Sequence, residues 1–273
     1  MTAAQCLRDA TQRLASSSDT PRLDAELLLA HALGVERESL LLNLRDIIVP
    51  GAFGALVERR ALGEPLAYIT GTRDFWTIRL SVGPGVLIPR PDSETLIEAA
   101  TNCFPDRTAP LRVLDLGVGP GTLLLAVLAE WPQAHGLGVD ISETALDYAR
   151  RNASALGLDD RAVFRLGDWA EGLAGEFDLI LANPPYVSTQ EQLARDVAEH
   201  EPHGALFAGE DGLDDYRRIA PQLVGLLAPE GAACVEIGFD QGQSARALFE
   251  EQGLGCEVRQ DLAGRDRCLL LRR

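Results

Sequence analysis

The sequence predicts an α/β chain: a parallel, doubly wound sheet with an antiparallel edge, preceded by a helical segment. Three observations carry this. From Leu111 onward, short apolar runs of strand length alternate with helical stretches. A glycine cluster, Gly117-Val118-Gly119-Pro120-Gly121, sits directly after the first of these runs and before a helix. The last two runs, Cys256–Asp261 and Cys268–Arg272, flank Gly264 as a hairpin would.

Residues 1 to about 72 read as helical. Asp24 to Leu33 carries apolar side chains at helical spacing and Gly34 supplies a stop, and Phe53 to Leu62 repeats the behaviour up to Gly63. His31 lies in an apolar helix and reads as a packed or surface histidine. The segment looks like a small bundle suited to grasping a partner or covering a site. Asp74 to Val82 alternates in strand fashion, Gly83-Pro84-Gly85 turns the chain, and Val86-Leu87-Ile88 follows. This predicts a β-hairpin joining two domains. Pro89-Arg90-Pro91-Asp92-Ser93-Glu94 is then a rigid polar loop, with Ser93 or Asp92 as a cap for a helix over Glu94–Ala100. The expected domains are therefore 1–72 (helical, substrate recognition), 73–90 (hairpin linker) and 91–273 (α/β).

Within the α/β part, strands are expected at Arg112–Leu116, His135–Asp140, Ala162–Leu166, Phe177–Ala182 and Ala233–Ile237. Helices are expected at Thr122–Glu130, Glu143–Leu156 (capped by Ser142), Asp211–Leu227 and Ser244–Gln252.

Composition narrows the function. Hydrophobic residues make up 46%, so the chain can bury a substantial core. No apolar run reaches the ~20 residues of a membrane span, and the first ten residues lack the order of a signal peptide. The five cysteines (Cys6, Cys103, Cys234, Cys256, Cys268) are scattered, with no CxxC pair, which argues against a disulfide framework and a zinc site and for a reduced cytoplasm. A formal net charge of −16 works against nucleic-acid phosphates. The chain contains no lysine, which excludes Schiff-base chemistry and a lysine-dependent phosphate loop.

The chemistry is expected at strand ends. The glycine loop reads GxGxG, with Thr122 and Leu123 next, so it is not the dinucleotide spacing. Asp140 ends the next strand, roughly 20 residues on, where an acid can grip a ribose diol. Asp168-Trp169 ends the third, with an acceptor for an adenine amino group and an apolar wall for its ring; ordinary core packing is the plainer reading of Trp169. Together these describe a nucleoside pocket without a phosphate cradle, and S-adenosylmethionine is such a nucleoside. The fourth strand stops at Asn183-Pro184-Pro185-Tyr186. Two prolines end strand pairing and stiffen the tip. The Asn183 oxygen and the Pro184 carbonyl can each accept one N–H of a planar NH2 group, turning its lone pair toward a methyl donor, and Tyr186 can pack over that group. By itself this suits an amide or an aromatic amine. His200 and His203, just downstream, read as loop residues.

The chain resembles the release factor glutamine N5-methyltransferase (HemK-type) family. The resemblance rests on Asp24–His31, Tyr68–Trp76, Leu87–Glu94, Leu114–Gly121, Gly138–Ser142, Gly167–Trp169, Asn183–Tyr186, Leu206–Leu213, Glu236–Gly238 and Asp261–Arg267, and so spans nearly the whole chain. Asn-Pro-Pro-Tyr alone is shared with adenine-N6 methyltransferases; Leu87–Asp92 and Asp261–Arg267 are more specific to the family.

The resemblance implies a Rossmann-like seven-stranded methyltransferase domain with an N-terminal helical bundle. It implies cofactor contacts at Gly117–Gly121, Asp140 and Trp169, with Asp168 and Asn183 beside them, and target-amide contacts at Asn183, Pro184, Pro185 and Tyr186. S-adenosylmethionine would become S-adenosylhomocysteine, with no metal. The substrate would be the glutamine of the Gly-Gly-Gln loop of peptide-chain release factors, acted on by a monomer that binds neither nucleic acid nor membrane. Glutamine methylation of a ribosomal protein and adenine methylation of nucleic acid are the alternatives; the charge opposes the second. Val118 and Pro120 replace small polar residues of the family's loop, and Pro120 removes one N–H there. His203-Gly204 is a second departure.

Overall fold

The computed structural model describes residues 2–273. Two compact units appear. One is the chain up to Thr72 together with Leu193–Glu201; the other is Arg73–Gln192 with Pro202–Arg273.

The first unit is built from α1 (Ala3–Leu14), α2 (Pro21–Leu33), α3 (Arg37–Leu42), α4 (Ala52–Ala61) and α5 (Leu66–Thr70). Thr2 and Gln5 cap α1 reciprocally, and its buried face is Ala3, Leu7, Ala10 and Leu14. Gly34 and Gly71 end α2 and α5 in the left-handed conformation that glycine adopts without a Cβ penalty. Leu28, Leu29, Leu40, Phe53 and Val57 complete the core. A buried ion pair crosses it, with Arg60 Nε 2.7 Å from Asp24 Oδ2. His31 is exposed, one of the two places its sequence context allowed.

The second unit opens on β1 (Thr72–Phe75) and β2 (Ile78–Ser81), a two-stranded sheet. The expected hairpin exists but turns elsewhere. Its bend is at Trp76-Thr77, with Trp76 at φ 52°, and Val86–Ile88 forms no strand. Trp76 is held there because its N–H donates to Glu94 Oε1 (2.9 Å) and its indole N–H to Glu130 Oε1 (2.7 Å). Gly83-Pro84-Gly85 does turn the chain, with the Val86 N–H donating to the Gly83 carbonyl and Gly85 at φ 96°, but no strand follows, and both glycines also serve packing. A Cβ at Gly83 would stand 2.3 Å from the Tyr148 hydroxyl, and one at Gly85 2.9 Å from Thr144.

A 3-10 turn over Pro91–Ser93 leads into α6 (Glu94–Cys103). Then come β3 (Arg112–Leu116), α7 (Thr122–Glu130), β4 (His135–Asp140), α8 (Glu143–Ala155), β5 (Ala162–Leu166) and β6 (Phe177–Ala182). The remaining elements are α9 (Arg195–His200), α10 (Asp214–Leu223), β7 (Leu227–Glu236), α11 (Gly242–Glu250), β8 (Gly255–Gln260) and β9 (Asp266–Arg272). Ser142 caps α8, accepting the Ala145 N–H. α9 was not expected from the sequence, and it places His200 on a helix rather than in a loop.

The seven strands lie in the order β5-β4-β3-β6-β7-β9-β8. Pairs from β5 through β7 are parallel, and β9 runs antiparallel to β7 and β8. The topology reverses between β3 and β6, where open α/β sheets bind ligands. One expectation fails at β7. The helix read over Asp211–Leu227 ends at Leu223, and the strand begins at Leu227. Leu227 pairs with Phe177, and the register shifts before Ala232 pairs with Leu179. Sheet pairing overrides the helical look of that leucine-rich stretch. Gly231 sits in the bulge, where a Cβ would lie 3.0 Å from the Phe177 carbonyl. Among the described residues no helix is long and apolar enough to cross a membrane.

Candidate active site

A cleft of about 400 Å³ opens at the β3/β6 switch point. Its walls come from the ends of consecutive parallel strands: Gly117–Pro120 after β3, Asp140 after β4, Asp168 and Trp169 after β5, Asn183 and Pro185 after β6. Arg90 and Ser93 enter from the loop before α6. Of the residues expected here, Gly121, Pro184 and Tyr186 do not line it.

The glycine loop is tight rather than open. Gly117, Gly119 and Gly121 all have positive φ. The N–H groups of Gly117 and Val118 donate to the Val139 carbonyl, Gly119 donates to Asp140 Oδ2, and Gly121 donates to Val118. Pro120 has no N–H to give, and its carbonyl accepts from Asn152 Nδ2 at 2.8 Å. Every N–H of the loop is thus spent inside the protein, so the loop offers no anion cradle. Its glycines instead permit close approach: a Cβ on Gly117 would stand 3.1 Å from Trp169 Cζ3.

Asp140 Oδ1 accepts the Ser142 N–H at 2.9 Å. Burial raises its carboxyl above the usual range, and backbone N–H groups of Ser142, Gly119 and Ile141 oppose that rise. Asp168 is ion-paired with Arg218, and the Trp169 indole N–H donates to Asp215 Oδ1 at 3.2 Å.

Asp115 was read only as part of an apolar strand. It is 1% exposed and lines the cleft. Its Oδ2 accepts the Leu124 N–H at 3.0 Å, while Oδ1 has no hydrogen-bond partner. Burial pushes its carboxyl up to about 7. A buried carboxylate oxygen without a partner is costly and marks a place where a ligand donor or cation would be favoured. The signal in the sequence was an acid inside the apolar run Val113-Leu114-Asp115-Leu116.

Behind Asn183 lies a polar cluster that sequence spacing could not assemble. Asn183 Nδ2 donates to Ser93 Oγ at 3.3 Å. Ser93 precedes α6 but its side chain caps nothing, contrary to expectation. The other expected cap, Asp92, instead lies 3.3 Å from Arg267 Nη2. Glu236 is fully buried, which pushes its carboxyl up to about 7, and its Oε2 has no hydrogen-bond partner. The Tyr186 hydroxyl donates to Glu236 Oε1 at 3.3 Å, and Arg267 Nη1 donates to the Tyr186 hydroxyl at 3.4 Å. Burial raises the Tyr186 phenol well above its ordinary value.

The segment after Tyr186 is also fixed. Val187 bridges in parallel to Phe207, and Gln241 Nε2 donates to the Tyr186 carbonyl at 2.9 Å. His203 stands in a 3-10 turn with its ring edge against Phe207, while neighbouring Pro202, Gly204 and Ala205 line the cleft.

Comparison with known proteins places this geometry. The PrmC N-terminal domain family matches residues 5–71, and the methyltransferase small domain family matches 93–202. A release factor glutamine methyltransferase from Rhodospirillum rubrum is 45% identical over 262 residues, covering 93% of this chain and 80% of the relative. One from Caulobacter vibrioides is 44% identical over 260 residues, covering 92% and 89%. The chain belongs to the release factor glutamine methyltransferase family. Among solved structures, a ribosomal protein L11 methylase from Lactobacillus delbrueckii subsp. bulgaricus superposes with a TM-score of 0.51 at 23% identity, covering 70% of this chain and 83% of that one, and so shares the fold. Leu87–Asp92 and Asp261–Arg267, far apart in sequence, meet at the Asp92–Arg267 ion pair.

Proposed function

We propose that the chain transfers a methyl group from S-adenosylmethionine to the side-chain amide nitrogen of the glutamine in the Gly-Gly-Gln loop of a peptide-chain release factor. The observation that carries this is the orientation of Asn183. Its NH2 is committed to Ser93, so its oxygen remains to accept an N–H from a target amide at the cleft.

The residues fit the donor. The orphaned Asp115 oxygen suits the ammonium of its methionine tail, Asp140 its ribose diol, and Trp169 its adenine ring. Bound there, S-adenosylmethionine supplies an electrophilic methyl carbon. The loop's spent N–H groups favour a nucleoside without phosphates. Asn183 Oδ1 accepts an N–H of the target amide; the Pro184 carbonyl, expected to accept the other, does not line the cleft. The Asn183 bond holds the amide's lone pair toward the methyl carbon and stabilises the positive charge that develops on nitrogen. The new C–N bond forms as the C–S bond breaks, and the nitrogen then loses its proton to water. Tyr186 contributes by anchoring the tip through Glu236 rather than through exposure to the cleft.

The helical segment 1–72 is assigned recognition of the release factor, 73–90 a connecting role and 91–273 catalysis. The five free thiols support work in a reducing cytoplasm. Incubation with methyl-labelled S-adenosylmethionine and a release factor tests the reading. Label is expected on the release factor and lost when its loop glutamine is changed to alanine. Label that persists on that variant, or appears only on DNA, overturns it.

A further inference from the structure

We infer that Asp215 is a positioning residue: by accepting the Trp169 indole N–H it holds that ring in place as the adenine wall of the cleft, and so sets the affinity for S-adenosylmethionine. The inference rests on the donor-binding role proposed for this cleft and deepens it.

β5 is an edge strand, paired with β4 alone. The turn that follows it, Asp168-Trp169-Ala170, therefore has strand support on one side only. Helix α10 supplies the rest. Arg218 Nη2 donates to Asp168 Oδ2, the Trp169 indole N–H donates to Asp215 Oδ1 at 3.2 Å, and Gln222 Oε1 accepts the Ala170 N–H at 2.8 Å. Residues 215, 218 and 222 are three and four apart, so one face of α10 meets three consecutive residues of the turn. The Gln222 amide is itself oriented, because its Nε2 donates to the Arg218 carbonyl at 2.9 Å.

Trp169 needs this hold. Its φ is 49°, in the left-handed region that a bulky side chain rarely adopts, and such a conformation persists only where the surroundings impose it. The ring is gripped at opposite edges. Its N–H meets Asp215, and its benzo edge lies over Gly117, where a Cβ would stand 3.1 Å from Cζ3 and 3.5 Å from Cη2. An indole N–H can only donate, so residue 215 must offer an acceptor. The Asp215 side chain is 14% exposed and lines the cleft, and its Oδ1 is engaged by the indole.

The test reads S-adenosylmethionine binding by calorimetry and the kinetics of release factor methylation. Asp215→Ala should raise both Kd and KM for S-adenosylmethionine about tenfold, the scale of one hydrogen bond to a charged group, with kcat at saturating donor near wild type. A purely structural loss would lower the active fraction, and with it kcat, without moving KM. Asp215→Asn, which keeps an acceptor oxygen, should bind near wild type. Trp169→Phe keeps an aromatic wall but removes the donor. It should lose about as much affinity as Asp215→Ala, and adding Asp215→Ala to it should cost nothing further. Trp169→Phe also keeps the test open if Asp215→Ala folds poorly. Wild-type affinity in Asp215→Ala or in Trp169→Phe overturns the inference. So does an equal loss in Asp215→Asn and Asp215→Ala, or a further tenfold loss when Asp215→Ala is added to Trp169→Phe. Wild-type protein that binds no S-adenosylmethionine overturns the underlying reading of the cleft instead.

Discussion

Asp140 Oδ2 accepts the N–H of Gly119 at 2.8 Å, so the acid that ends β4 also fastens the glycine loop that follows β3. One carboxylate thereby shapes the cleft and faces it. Asp140→Ala should weaken S-adenosylmethionine binding by about 10²-fold and also lower the thermal midpoint, because the Gly119 and Ser142 N–H groups lose their partner. Calorimetry and thermal denaturation on the same sample check both. Unchanged affinity would remove the ribose role.

Asp115 is expected to trade stability for binding. Its carboxyl is raised from 3.8 in an unfolded chain to about 7. The folded protein therefore holds a proton that the unfolded chain releases. The resulting stabilisation is complete below about pH 4 and is lost as pH rises through about 7. Glu236, raised in the same direction, adds to that slope. Asp115→Asn should flatten part of it, keep or raise the midpoint at pH 8, and weaken S-adenosylmethionine binding by about tenfold or more. In the wild type, an incoming ammonium favours the ionised acid, so binding near pH 7 should release protons. Titrations in two buffers of different ionisation enthalpy measure that release.

Asn183→Ala should leave S-adenosylmethionine affinity nearly intact and cut methyl transfer by ~10²-fold or more, as for loss of a group that bonds the target most strongly in the transition state. Single-turnover transfer with labelled donor reads this directly. Full turnover would refute the mechanism.

Gly212 sits at φ +72°, and a Cβ there would stand 2.3 Å from the Tyr186 carbonyl oxygen. Gly212→Ala must strain the backbone and push against main chain, so a loss of about 2–3 kcal/mol in urea unfolding is expected, with slower methyl transfer because the displaced segment carries Tyr186.

The sheet was legible because its strands are short, apolar and separated by helices with clear stops. β3, β4, β5 and β6 lie where the pattern put them. The hairpin and β7 were misread for a shared reason. The turn at Gly83–Gly85 is present but packs on α8 and leads into no strand, and at Leu227 pairing with Phe177 outweighs local helical preference. Local pattern does not distinguish these cases. α9, which packs with the helical unit although it lies between β6 and β7 in sequence, gave no pattern long enough to register.

What the sequence alone determined are the features that short-range chemistry dictates: alternating α and β, a glycine loop with the wrong spacing for phosphates, an acid at the next strand end, and a proline-stiffened Asn-Pro-Pro-Tyr tip. What only the tertiary structure decided is how those features are wired. Asp115 is proposed as a binding residue because folding buried one of its oxygens without a partner beside the cleft. Ser93 and Glu236 gained meaning because the crossover brings residues 90 and 50 positions from Asn183 and Tyr186 within hydrogen-bond reach. Hydrogen-bond polarity depends on which donors and acceptors share a dry site, and that sharing is a property of the packed chain, not of any stretch of it.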